Sequence, residues 1–132
     1  FLVASSIIGI LAQRLVRRLC PNCKQPIDPT KEELKRIGLN GLPPGSQVFK
    51  PVGCEQCYHT GYSGRLGIFE LLPVDDQLRS VILKNADAVS IKRAAISSGF
   101  KPMRIDGIRK ILSGVTSIEE VLAVTAEDSR IE

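Results

Sequence analysis

The sequence predicts a mainly α fold, α+β overall, in which a small four-cysteine subdomain with short strands is inserted between an amphipathic helix and a C-terminal helical bundle. Three observations predict it. Apolar residues recur at three- and four-residue steps from Ser5 to Leu19, and two Cys-x-x-Cys pairs bracket a segment dense in proline and glycine. From Gly67 onward, helix start and stop signals follow one another to the end of the chain. The composition agrees: 132 residues with 43% hydrophobic and 24% charged side chains suit a globular domain rather than a disordered or membrane-spanning one. Aromatic residues are only 5% and tryptophan is absent, so Leu, Ile, Val and Ala carry the core, which favours helices packed on helices.

The opening run FLVASSIIGILA is apolar, but its cations, Arg14, Arg17 and Arg18, come after it rather than before it, the reverse of a signal peptide. The run is also too short to span a bilayer. A chain that opens on Phe1, with its single methionine at Met103, reads as a piece of a longer protein. From Ser5 to Leu19, a helix would place Ile7, Ile8, Leu11, Leu15 and Leu19 on one stripe and Gln13, Arg14, Arg17 and Arg18 elsewhere. Those arginines read as a solvated face near a helix C-terminus, with a partner-subunit or phosphate contact as the alternative.

Between Cys23 and Cys54, five prolines and the glycines Gly38, Gly41 and Gly45 permit only short elements. Thr30, with Glu33 at capping-box spacing, predicts a two-turn helix to Ile37. The remainder reads as loop and short strand with little core of its own. After Gly67, Ile68, Phe69, Leu71 and Leu72 form a strand-like run closed by Pro73, with Glu70 read as facing solvent. Asp75 then caps a helix carrying Leu78, Val81 and Ile82, and Asp87 caps a second carrying Ile91 and Ala95 that Gly99 stops. A third runs from Pro102 to Gly114 with Ile108, Ile111 and Leu112 inward, and Ser117 caps a last one bearing Val121 and Leu122. The short connections predict one bundle of antiparallel neighbours.

Cys20 and Cys23, and Cys54 and Cys57, form two pairs of identical spacing. Each pair can wrap a tight turn around one side of a tetrahedral ion, which predicts a four-sulfur zinc site. A rubredoxin-type iron centre is the main competitor. Disulfides would need an oxidising compartment, and unconnected core cysteines would not fall into two equal spacings. A closed shell of four sulfurs leaves no open position for water, so the ion is expected to be structural. His59 reads as a loop residue outside the shell, and Lys24 and Gly53 suit turns around anionic sulfurs. The net charge of +4 is uneven: residues 1–66 hold nine Lys and Arg against four acids, a local excess that partly balances four thiolates.

The stretch Gly61-Tyr62-Ser63-Gly64-Arg65-Leu66-Gly67-Ile68-Phe69-Glu70 follows the second pair directly. It is no P-loop, since no G-x-x-x-x-G-K-[ST] occurs in the chain. The order of segments, FLVASSIIGILAQRLVRRLC, CPNCK, GCEQC, TGYSGRLGIFELL and DGIRKILSGVTSIEEVLAVT, resembles the GspE/PilB family of secretion and pilus-assembly ATPases, in the portion that follows their nucleotide-binding motifs. The ending SIEEVLAVTAED looks more like the type II secretion branch than the pilus branch. The resemblance leaves out the loop from about residue 26 to residue 50.

That resemblance implies a division into residues 1–19, the last helix of a preceding RecA-like ATPase domain; 20–66, the tetracysteine zinc subdomain; and 67–132, a short strand with the C-terminal helical subdomain. It implies a cytoplasmic homohexameric motor, peripheral at a bacterial inner membrane, whose ATP hydrolysis powers pseudopilus or pilus assembly through a platform protein. ATP and Mg2+ would be bound only by the full-length parent, and no catalytic residue is expected in this chain. Cys20, Cys23, Cys54 and Cys57 match the family's metal-binding cysteines. Arg65 falls where the family places an arginine near the nucleotide phosphates, with a loop-pinning arginine as the equal alternative. Two competing readings remain. A zinc-ribbon nucleic-acid binder is favoured by the basic first half but lacks interleaved aromatics, so no nucleic-acid partner is expected. A thiol redox switch would need exposed cysteines of low pKa.

Overall fold

The computed structural model describes residues 9–84, 87–97, 100 and 102–125. In chain order these form β1 (Gly9–Leu19), β2 (Gln25–Ile27), α1 (Lys31–Arg36), β3 (Val48–Lys50), a single 3-10 turn (Glu55–Cys57), β4 (Tyr62–Pro73), α2 (Asp76–Leu83), α3 (Ala88–Ser97), α4 (Met103–Leu112) and α5 (Ile118–Thr125). Strand β1 pairs with β4, and β2 pairs antiparallel with β3 in the register Gln25↔Lys50, Pro26↔Phe49 and Ile27↔Val48. The chain divides into two units, one of Phe1–Gln13 and Phe69–Pro102, the other of Arg14–Ile68 and Met103–Glu132. Among the described residues, no helix is long and apolar enough to cross a membrane.

The first element departs from its helical expectation. Residues 9–19 are a strand; residues 5–8 of the expected helix lie outside the described residues, as does Gly99, expected to stop α3. The stripe residues Leu11 and Leu15 are 65% and 50% exposed, while Val16, off that stripe, is 2% exposed. The local sequence is rich in Leu, Arg, Gln and Ala, which favour helix, but the backbone finds other partners: pairing with β4, and at the strand's end Leu19 N–H donating to Val115 O at 2.9 Å. Strand β4 is also longer than the run after Gly67, because the glycine-rich segment from Tyr62 is part of it. Glu70 within it is half-buried rather than turned fully to solvent.

The helices form where capping chemistry starts them. Thr30 and Glu33 make a reciprocal capping box on α1, and Asp75 accepts from Leu78 N–H at 2.8 Å to start α2. Asp87 accepts from Ser90 N–H at 2.7 Å ahead of α3, and Ser117 accepts from Glu120 N–H at 3.2 Å ahead of α5. The expected single bundle is instead two helix pairs: α2 packs with α3 in one unit and α4 with α5 in the other. In the first unit the core is Val74, Leu78 and Ala95, covered by Leu72, Ile82, Ile91, Ala94 and Phe100.

In the second unit the breaker-rich segment, expected to have little core of its own, packs on the helices. Leu34, Ile37 and Val48, all from the breaker-rich segment, are buried against Ile111, Ile118 and Val121 of α4 and α5. Each side chain of this size contributes about 1.5–3 kcal/mol when buried. Arg104 on α4 joins the same elements by hydrogen bonds. Its Nε and Nη2 donate to Thr125 Oγ1 and O, at 3.0 and 2.7 Å, and its Nη1 donates to Arg36 O at 3.2 Å, so one cation serves the C-terminal ends of α5 and α1.

Two predictions follow from this packing. A Cβ on Gly107 would lie 2.5 Å from Cγ1 of Val121, which is fully buried and has no room to turn away. Gly107→Ala gains about 1 kcal/mol of helix propensity but suffers about 1–3 kcal/mol of overpacking, so a net loss of up to about 2 kcal/mol is expected in denaturant unfolding. Glu120 receives the N–H of Arg17 at 2.7 Å and its guanidinium at 3.1 Å. Burial works against this carboxylate, but Arg17 outweighs it and holds the pKa below the ordinary carboxylate value. Its stabilising contribution is therefore present above about pH 4.5 and lost as the pH falls through the lower folded value. An acid titration of Glu120→Gln should lack that component.

Candidate metal centre

Cys20 directly follows β1, and the turn it opens closes with Lys24 N–H donating to Cys20 O at 3.1 Å. The second turn is the 3-10 segment, where Cys57 N–H and His59 N–H both return to Cys54 O, at 3.2 and 2.8 Å. To complete it, Tyr58 and His59 adopt left-handed backbone conformations, φ 55 and 61, which are uncommon for such residues. These two tight turns bring the four cysteine sulfurs within 4.8 Å of one another.

The separations test what the cluster can hold. Cys20 and Cys54 sulfurs are 3.8 Å apart, Cys23 and Cys57 3.8 Å, and Cys54 and Cys57 3.7 Å. A disulfide would need about 2.05 Å. Four sulfurs each about 2.3 Å from a central ion, at tetrahedral angles, stand about 3.8 Å apart. The donor set and its spacing fit a tetrahedral metal.

Around the sulfurs lies a ring of N–H donors suited to anionic ligands. Gly53 N–H donates to Cys23 at 3.3 Å, Cys54 N–H to Cys57 at 3.2 Å and Gly61 N–H to Cys57 at 3.2 Å. The Asn22 side-chain amide reaches across to Cys54 at 3.3 Å. Burial works against a Cys57 thiolate, yet the N–H groups of Cys54 and Gly61 overcome it and pull the thiol down to about 6. At Cys23 the Gly53 N–H works downward, but desolvation and the three neighbouring sulfurs prevail and push it up to about 11. Without metal the cluster thus keeps protons on some sulfurs, and a bound divalent ion would displace them.

Of the residues singled out in the sequence, the structure brings the four cysteines together with Gly53, whose N–H donates to Cys23, and leaves the others apart. His59 is exposed and stands outside the cluster. Lys24 turns away from the sulfurs: its Nζ donates to Gly114 O at 2.8 Å and lies 4.5 Å from the Phe49 ring centre. Arg65 is exposed on β4, and its guanidinium makes no hydrogen bond or ion pair among the described residues. Asn22 and Gly61 were not legible as sulfur partners. The signal for Gly61 was its position four residues after Cys57, where a chain leaving a knuckle turn passes back over the last sulfur.

The family model described as type II/IV secretion system protein matches residues 1–123. The type II secretion system protein E of Aeromonas hydrophila is 49% identical over 128 residues, which cover 97% of this chain and 25% of that protein. The type IV pilus assembly ATPase PilB of Thermus thermophilus is 46% identical over 128 residues, covering 96% of this chain and 14% of that protein. The type II secretion system protein E of Pseudomonas aeruginosa is 44% identical, covering 97% and 25%. The chain thus spans a quarter or less of the length of these relatives. With the match reaching from the first strand past both cysteine turns and into α5, the chain belongs to the type II/IV secretion system protein family.

Proposed function

We propose that this chain is the C-terminal portion of a hexameric, ATP-hydrolysing secretion or pilus-assembly motor, of the type II secretion branch, and that it serves as the motor's zinc-binding and subunit-contact module. The observation that carries the reading is the coincidence of the family match with a four-sulfur cluster of tetrahedral dimensions. The parent motor would act at the cytoplasmic face of a bacterial inner membrane through platform proteins, driving pseudopilus or pilus assembly. ATP and Mg2+ would be held by the rest of the parent protein.

Cys20, Cys23, Cys54 and Cys57 would hold the zinc ion, which when bound cross-links two turns thirty residues apart and offers no open site for chemistry. The chain's own residues do the rest. Asn22, Gly53, Cys54 and Gly61 supply N–H donors to the sulfurs, and Cys20 N–H donates to Gly61 O at 3.0 Å, joining the cluster to β4. Arg65 is proposed as a contact to the nucleotide phosphates. An exposed guanidinium without a partner among the described residues is available to a phosphate oxygen, and it gains most on one whose charge grows during transfer.

Two measurements test this. Protein purified without added zinc should contain one zinc per chain by elemental analysis, and Cys54→Ser should lose it together with most of the thermal stability; a metal-free and fully active parent motor would sink the zinc assignment. In the full-length parent, Arg65→Ala should lower ATP turnover about tenfold or more while the zinc content stays at one per chain. Unchanged turnover would remove Arg65 from the nucleotide site.

A further inference from the structure

The segment that carries Arg65 is part of β4, whose backbone is paired with β1. Ser63, Gly64 and Arg65 are all exposed, Gly64 has φ +77, and a Cβ built on it would touch nothing within 4 Å. The glycine puts a left-handed bend into the strand beside Arg65, so the direction in which Arg65 extends depends on what holds the strand besides that pairing. Upstream the grip is the cysteine cluster at Gly61, with Tyr62 beside it. The Tyr62 hydroxyl lies 2.8 Å from Ser117 Oγ and its ring centre 4.1 Å from the Arg17 guanidinium carbon.

Downstream the grip is Lys110. Its Nζ donates to the main-chain carbonyl of Gly67 at 2.7 Å and to Asp106 Oδ2 at 2.8 Å. The bond to Asp106 is an ordinary pair one helical turn back, of the kind found on many helix surfaces. The bond to Gly67 is different in kind. It is charge-assisted and runs from α4 to a carbonyl 43 residues away in sequence, two residues past Arg65. Asp106 holds the ammonium in place and is itself 3.9 Å from Arg109. Ile68, the next residue of the strand, is fully buried, so the exposed residues Ser63 to Arg65 of the paired strand lie between two anchored positions.

We infer that Lys110 is a positioning residue for Arg65: by clamping Gly67 O from α4, it sets the course of the glycine-rich strand and so the placement of the guanidinium at the nucleotide phosphates. The inference rests on the reading of Arg65 given above and adds to it a residue remote from the phosphates. Losing the clamp leaves the cluster and the ATP-binding groups elsewhere intact but lets Arg65 wander, which affects the step where its charge matters more than binding.

The test is a double-mutant cycle in the full-length motor. Lys110→Met should lower kcat about fivefold with KM for ATP about unchanged and zinc still at one per chain, and amide exchange at Leu66 to Ile68 should quicken. Lys110→Arg should restore most of the rate. In the Arg65→Ala background, Lys110→Met should cost nothing further, because a residue that acts through Arg65 has nothing left to position. Multiplying losses in the double variant, or full kcat in Lys110→Met while Arg65→Ala is impaired, would overturn the inference and leave Arg65 standing. A neutral Arg65→Ala would overturn the phosphate reading and this inference with it. Should Lys110→Met fail to assemble, Asp106→Asn, which loosens the ammonium without removing it, must show the same non-additivity at about twofold, and additive losses there would equally refute the clamp.

Discussion

One residue, Gly61, joins the cysteine cluster to the sheet. Its N–H donates to Cys57 Sγ and its carbonyl accepts from Cys20 N–H, so one residue is bonded to a member of each cysteine pair. Gly61 sits at φ +83 against Pro51, whose Cβ would be 2.5 Å from any Cβ placed there. No other residue type meets both demands: the conformation excludes most side chains, and the proline excludes even the smallest. Through this residue the end of β1, the start of β4 and both cysteine turns share one rigid corner. The strands enter and leave the cluster in fixed directions, and the helices that follow in sequence can close over them.

That closure is the work of the residues between α4 and α5. Val115 O accepts from Leu19 N–H, Thr116 Oγ1 donates to Arg17 O at 2.8 Å, Gly114 O accepts from Lys24, and Ser117 meets Tyr62. Four consecutive residues thus satisfy polar groups from β1, the first cysteine turn and β4. Buried polar groups of this kind are expensive to leave unpaired, which makes the connection specific rather than merely compact. Thr116 and Ser117 are fully buried, and each finds a hydrogen-bond partner. The apolar core beneath completes the arrangement with residues from the proline-rich segment, which would have nothing to pack on without α4 and α5.

What could be read from the sequence was what is written locally. Thr30, Asp75, Asp87 and Ser117 act within three residues of themselves, so the helix starts were legible. The cysteine pairs were legible for the same reason, since a knuckle turn is a property of four residues. The first strand was not. Its Leu and Arg pattern fits a helix as well as any in the chain, and only a partner strand more than forty residues later decides otherwise. The same blindness hid the core of the proline-rich segment, because Leu34, Ile37 and Val48 are buried by residues some seventy positions on. Asn22 and Gly61 at the cluster escaped notice because their role is set by where two turns meet in space.

The structure also weakens the argument that gave nucleic-acid binding its standing. That argument rested on the excess of cations in the first half, and binding to phosphate backbones needs cations free to displace counterions. Arg14 Nη1 donates to Val124 O at 2.9 Å, near the C-terminal end of α5. Arg17 is committed to Glu120 and the Tyr62 ring, and Lys24 to Gly114 O and the Phe49 ring. Three of the cations that made the segment look basic are thus consumed in holding the unit together. The other six, Arg18, Lys31, Lys35, Arg36, Lys50 and Arg65, are exposed. A third of the basic residues is thus spent inside the unit rather than offered to a phosphate backbone, so the charge count of the sequence overstates what a nucleic acid would meet.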